Sequence, residues 1–145
     1  LLRNPHELDR LRADPDLIAS AVEEVLRWDP PVQLDGRTIL REVEIDGLQF
    51  HARQSVMMLL GAANRDDRVF PDPDRFDVGR TDNLHVSFGH GIHHCLGAAL
   101  ARAEGQVALG ALVRNFGTWE LATDTVRYKE NLVLRGLEAL PVRFG

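Results

Sequence analysis

Between Leu17 and Leu26 the apolar residues Leu17, Ile18, Ala21, Val22, Val25 and Leu26 recur at ~100° per residue, which predicts one amphipathic helix. Asp14-Pro15 opens it, and Trp28-Asp29-Pro30-Pro31 closes it, because a residue before proline avoids the helical region. A shorter helix precedes it. Asn4-Pro5-His6-Glu7 reads as a capping box with proline at the first helical position, followed by Leu8 and Leu11 on the inner side. A third helix is expected from about Leu96 to Phe116, with Leu96, Leu100, Ala103, Val107 and Ala111 on its inner face.

Elsewhere the period shortens to two. Val43-Glu44-Ile45 and Leu48-Gln49-Phe50 alternate around Asp46-Gly47, a hairpin signal. The apolar run from Ser55 to Leu60 predicts a buried strand. From Asn64 to Asn83 the chain is rich in Asp, Arg and Pro without periodicity, which predicts a meandering surface loop. Leu132-Val133-Leu134 and Pro141-Val142-Arg143-Phe144 are short strand-like pieces. There are no internal repeats or low-complexity tracts. The sum is a mainly α protein with small β-sheets, organised as one unit over residues 1–145 without separate domains.

Composition narrows the partners. Apolar and charged fractions of 44% and 27% are those of a soluble globular chain of 145 residues. A net charge of -5 without a basic run argues against nucleic acid. No apolar stretch approaches the ~20 residues of a membrane span, and nothing at the N-terminus resembles a signal peptide. The chain starts Leu1-Leu2-Arg3 without an initiating Met and reads as a piece of a longer protein. Its single cysteine excludes an internal disulfide and a cysteine-based zinc cluster, and suits a reducing, cytoplasmic compartment.

That cysteine, Cys95, lies in Phe88-Gly89-His90-Gly91-Ile92-His93-His94-Cys95-Leu96-Gly97, where a glycine-rich loop enters an alanine-rich helix. Helix N–H groups and the dipole favour a thiolate there. As a ligand of heme iron, Cys95 would need tight turns at Gly89 and Gly91 and a close approach of the helix start at Gly97. Phe88 would cover the sulfur. By spacing alone, an inert thiol in a glycine-rich turn is an equal alternative. His85, His90, His93 and His94 also raise zinc, but four histidines crowded into one loop do not match the usual spaced pairs.

Phe88-x-x-Gly91-x-x-x-Cys95-x-Gly97 resembles the heme-binding signature of the cytochrome P450 family. Glu24-Val25-Leu26-Arg27 resembles the family's Glu-x-x-Arg pair, and Pro71-Asp72-Pro73-Asp74-Arg75-Phe76 its meander segment. Asn64-Arg65-Asp66 and Leu100-Ala101-Arg102 resemble the soluble bacterial branch, and all these motifs stand in the family's order.

The resemblance implies the C-terminal, proximal portion of the cytochrome P450 fold, and a parent that is a heme-thiolate monooxygenase. The cofactor would be heme b (iron-protoporphyrin IX), with Cys95 as the axial ligand and Phe88, Gly91 and Gly97 around it. Arg37, His85 and His93 match propionate-binding positions. Glu24, Arg27 and Arg75 match the structural triad, and Arg102 a docking site for a ferredoxin-type electron donor. Val32 to Leu34 and Leu134 to Leu137 match segments lining the pocket for a small organic substrate. The family's oxygen-activating helix, with its Ala-Gly-x-Asp/Glu-Thr motif, has no counterpart in these residues, so no catalytic residue is expected among them. A non-catalytic heme-binding remnant, or remotely a zinc- or ligand-binding module, are the alternative readings.

Overall fold

The computed structural model describes residues 1–145. Helix α1 (Pro5–Ala13) leads through a 3-10 turn at Pro15–Leu17 into α2 (Ile18–Trp28). Strands β1 (Asp35–Thr38), β2 (Val43–Ile45), β3 (Leu48–Phe50) and β4 (Ser55–Met58) follow, then the single-turn helix α3 (Leu60–Ala63). A long irregular segment precedes α4 (Ala98–Asn115), and β5 (Trp119–Leu121) and β6 (Val142–Phe144) complete the chain.

Each sheet is an antiparallel pair: β1 with β4, β2 with β3, and β5 with β6. The β2–β3 hairpin turns at Asp46 and Gly47 with φ of 50° and 77°, the left-handed pair that a tight hairpin requires. The expected buried strand is half exposed instead. Its residues alternate between exposed and half-buried because β4 pairs only with β1, and Leu60 already belongs to α3.

The core joins α1, α2 and α4 with the irregular segment. Leu8, Leu11, Ala21, Phe76, Val78 and Val113 form one buried cluster. Phe76 and Val78 come from the stretch expected to be a surface loop, and Asn64 and Phe70 of that stretch are buried too. It lacks periodicity because its polar backbone is satisfied by side chains rather than by a ladder. Glu7 illustrates this. Its carboxylate accepts the Val78 N–H at 3.0 Å and Arg10 Nη1 at 2.8 Å, so it does not complete the expected capping box. Asn4 offers no side-chain cap either; its backbone carbonyl receives the N–H groups of Glu7 and Leu8.

Helix α4 packs on α2 through a face other than the expected one. Ala98, Gly110 and Val113 are buried. A Cβ at Gly105 would stand 3.1 Å from Val22 Cγ1, so the missing side chain sets how closely the helices approach. Leu96, Leu100 and Val107, expected on the inner face, are exposed.

Candidate functional site

Glu24 and Arg27 meet one turn apart on α2 with both side chains fully buried. Arg27 Nε and Nη2 donate to the two carboxylate oxygens at 2.7 and 2.9 Å. Its Nη1 donates to the carbonyls of Asn64 and Pro73, both at 2.9 Å, and Nη2 also donates to that of Arg75 at 3.2 Å. All five guanidinium N–H groups are thus used, and the helix is pinned to the irregular segment.

The third arginine differs from expectation. Arg75 contributes its carbonyl, while its own side chain is 62% exposed and lies 3.7 Å from Asp77. Arg80 takes the place assigned to Arg75: its side chain is 10% exposed and Nε comes within 3.2 Å of Glu24 Oε2. Asp77 N–H and Asn83 Nδ2 donate to the same carboxylate at 2.9 and 3.2 Å. Two arginines five residues apart in an aperiodic stretch carry no signal that ranks them. Only the path of the chain does.

Beyond this anchor runs the cysteine loop. Asn64 Nδ2 donates to Ser87 Oγ at 2.8 Å, and Ser87 Oγ donates to the Leu26 carbonyl at 2.7 Å, tying the loop to α2. Gly89 and Gly91 take φ of 71° and 64°, left-handed turns of the kind expected there. The turn returns the chain so that Cys95 N–H donates to the Phe88 carbonyl at 2.8 Å. Gly97 precedes α4, and a Cβ there would lie 4.0 Å from Cys95 Sγ.

Cys95 is a free, exposed thiol. Ile92, Leu96 and Leu100, which flank it in the chain, are exposed apolar side chains. His93 is exposed at the end of the 3-10 turn Gly91–His93. Arg37, on β1, donates to Asp35 at 2.6 Å and stays partly exposed. His85 is different. Its side chain is 2% exposed, its Nδ1 accepts the Ser87 N–H at 3.3 Å, and its Nε2 lies 3.1 Å from Glu23 Oε2. Both ring nitrogens have partners within the chain, so a propionate role for His85 would require Nε2 to give up Glu23. Burial pushes its pKa down, against the pull of Glu23.

Arg102 is likewise committed. Its Nε and Nη2 donate to the two oxygens of Glu23 at 2.7 and 3.0 Å, and its guanidinium lies over the Phe88 ring, 4.7 Å from the centroid. The expected docking arginine is thus paired within the chain, with its side chain still 33% exposed. Desolvation raises the Glu23 pKa, but Arg102 and then His85 more than offset it, and the carboxyl sits below its ordinary range. In the sequence Glu23 and Arg80 resemble ordinary surface charges, and nothing local marks either as a functional residue.

No group of three or more His, Cys, Asp or Glu side chains is placed to hold a metal ion. The clustered histidines thus give no zinc site: His85 is buried against Glu23, while His90, His93 and His94 are exposed. A metal on Cys95 must bring its other ligands with it, as porphyrin-bound iron does. One soft sulfur beside exposed apolar side chains fits that requirement.

Comparison with known proteins bears on the same residues. The cytochrome P450 family model matches residues 10–139. A biotin biosynthesis cytochrome P450 of Bacillus subtilis strain 168 is 45% identical over 144 residues, covering 99% of this chain and 36% of its own length. The 6-deoxyerythronolide B hydroxylase of Saccharopolyspora erythraea is 46% identical over 145 residues, with coverages of 99% and 36%. Among solved structures, P450BioI in complex with a hexadec-9Z-enoic acid-ligated acyl carrier protein superposes with a TM-score of 0.97 at 46% identity, covering 100% of this chain and 38% of its own. The tirandamycin C-bound monooxygenase TamI gives 0.95 at 42% identity, with coverages of 100% and 37%. The chain spans little more than a third of these relatives. No helix is long and apolar enough to cross a membrane.

Proposed function

This chain belongs to the cytochrome P450 family, and on that premise we propose that it is the heme-binding part of a cytoplasmic heme-thiolate monooxygenase. The whole protein inserts one atom of O₂ into a C–H bond of a small organic substrate, and a ferredoxin-type donor supplies two electrons. The second oxygen atom leaves as water with two protons.

The observation that carries this reading is the environment of Cys95. It is an exposed thiol at the head of a long helix, held by a backbone hydrogen bond to Phe88, with no group of three or more ligating side chains around it. Cys95 would hold the heme iron through its sulfur, and Phe88, Gly91 and Gly97 shape the loop around it. Arg37 and His93, and His85 if it releases Glu23, would supply donors for the propionates of heme b. Heme, when bound, would supply the redox centre for O₂ activation, and the sulfur of Cys95 would donate electron density to it. Glu24, Arg27 and Arg80 hold the scaffold and touch no substrate. No catalytic acid or base is assigned to these 145 residues.

A carbon monoxide difference spectrum of the reduced, heme-loaded parent tests the assignment. The Soret band is expected at the position diagnostic of thiolate ligation, and Cys95→Ala abolishes it. An unchanged spectrum in Cys95→Ala overturns the ligand assignment. A thiolate band without turnover, given a ferredoxin system and organic substrates, selects the non-catalytic heme-binding alternative instead.

A further inference from the structure

Glu23 precedes the buried Glu24 on α2 but works on a different part of the molecule. Its Oε1 accepts Arg102 Nε at 2.7 Å, and its Oε2 accepts Arg102 Nη2 at 3.0 Å. The second oxygen also faces His85 Nε2 at 3.1 Å. Because His85 Nδ1 accepts the Ser87 N–H, Nε2 carries the proton and donates to Glu23. One carboxylate therefore joins a histidine of the cysteine loop to an arginine of α4.

Both partners bear on Phe88. The Arg102 guanidinium lies over its ring at 4.7 Å from the centroid, and the His85 ring centroid is 6.1 Å away. The Phe88 carbonyl in turn accepts the Cys95 N–H at 2.8 Å. A chain of contacts runs from Glu23 through Arg102 and His85 to Phe88, and from Phe88 by a main-chain bond to Cys95.

We propose that Glu23 is a positioning residue for Cys95, holding Arg102 and His85 against Phe88 so that the Phe88 carbonyl fixes the backbone direction of the cysteine. The proposal rests on the reading of Cys95 as the iron ligand. An isolated exposed ion pair would not do this, since it contributes little and constrains less. Here the fork of the guanidinium fixes direction as well as distance, and the His85 side chain is 2% exposed. Without the carboxylate, the His85 N–H is left buried without an acceptor and Arg102 loses the contact that lays it on the ring. Phe88 is then free to shift, and the Cys95 N–H with it.

The test uses the full-length, heme-loaded parent protein. Amide hydrogen exchange is followed over residues 86–96, and the ferrous carbon monoxide complex is monitored for loss of the thiolate Soret band. Glu23→Ala and Arg102→Ala are each expected to speed exchange in this segment by about tenfold, with the double variant little faster than either, because they break one unit. Loss of the thiolate band accelerates in parallel. Glu7→Gln is the control: it removes a buried carboxylate remote from the loop, so it lowers overall stability without a selective change in residues 86–96. If the Glu23 and Arg102 variants match the wild type or the Glu7→Gln control, the proposal fails. Should Glu23→Ala not fold, Glu23→Gln and Arg102→Lys carry the same comparison, with smaller effects in the same segment expected and none overturning the proposal. Failure of the underlying reading looks different: Cys95→Ala would then leave the spectrum unchanged while the exchange effect persisted.

Discussion

Arg80 brings its guanidinium to within 3.2 Å of Glu24, and this contact closes the charge around a carboxylate that is wholly buried. Arg27 satisfies one edge of Glu24, and Arg80, Asp77 N–H and Asn83 occupy the rest. Removing one member of such a buried set leaves an uncompensated charge, which costs far more than an exposed pair contributes. Arg27→Ala is expected to destabilise by about 3–5 kcal/mol. For Arg80→Ala the loss is about 1–3 kcal/mol. Arg75→Ala, whose side chain is exposed, should stay within about 0.5 kcal/mol. Urea denaturation of the purified variants ranks them, and Arg75→Ala equalling Arg80→Ala would refute the assignment.

The two glycines of the cysteine loop are not equivalent. Gly89 has φ of 71°, and a Cβ there would meet the His93 carbonyl oxygen at 3.2 Å, whereas Gly91 has φ of 64° and open space around the same position. Either alanine carries the left-handed penalty of about 1–2 kcal/mol. Gly89→Ala adds a clash with backbone, which cannot swing aside. Its thiolate Soret band is therefore expected to be weaker than that of Gly91→Ala at equal protein concentration. Equal spectra in the two variants contradict the geometry.

Helix packing makes a graded prediction at Gly105. Alanine gains up to about 1 kcal/mol of helix propensity. Its Cβ nevertheless lies 3.1 Å from Val22 Cγ1, so the gain and the crowding nearly cancel. Leucine has no such balance, and Gly105→Leu is expected to cost about 1–3 kcal/mol by overpacking. Adding Val22→Ala should recover part of that loss, because the crowding atom is removed. Thermal melts of the single and double variants decide it; strictly additive losses would mean that α2 and α4 are not in contact there.

Acidification should destabilise the fold in two stages of the same sign. Burial lowers the His85 pKa in the folded state despite Glu23, so below about pH 6.5 the unfolded chain binds a proton that the folded chain refuses, and stability falls with pH. For the carboxyls of Glu7, Glu23 and Asp77, desolvation acts upward, but their arginine and N–H donors outweigh it and leave each pKa lowered. Their contribution is present at neutral pH and is lost as pH falls below about 4.5 and through the folded values. Denaturation midpoints across the acid range test this. His85→Gln should flatten the first stage and keep the second.

Much of the architecture is legible along the chain because its causes are local. The period near 100° in Leu17 to Leu26, the prolines at both ends and the Asp46-Gly47 turn act within a few residues, and α2 and the β2–β3 hairpin lie where they predict. The spacing from Phe88 to Gly97 is equally local, and it carries the family resemblance that the comparisons bear out. Periodicity misleads where it meets long-range packing. Leu100 and Val107 share a helical face as expected, while Leu96 lies in the turn before α4; yet α4 turns Ala98, Gly110 and Val113 inward, because Gly105 permits a close approach to Val22.

What the sequence determined by itself is the three longer helices, the β2–β3 hairpin and the place of Cys95 at the junction of a glycine loop and a helix. Tertiary structure decided the partners of the charges. It chose Arg80 over Arg75 for Glu24, paired Arg102 and the buried His85 with Glu23, and buried Phe76 and Val78 in a stretch that reads as surface. The reason is physical. Helix and turn signals arise between residues a few positions apart. A salt bridge depends on which side chains a folded chain brings within about 3 Å, and on how much water it leaves them.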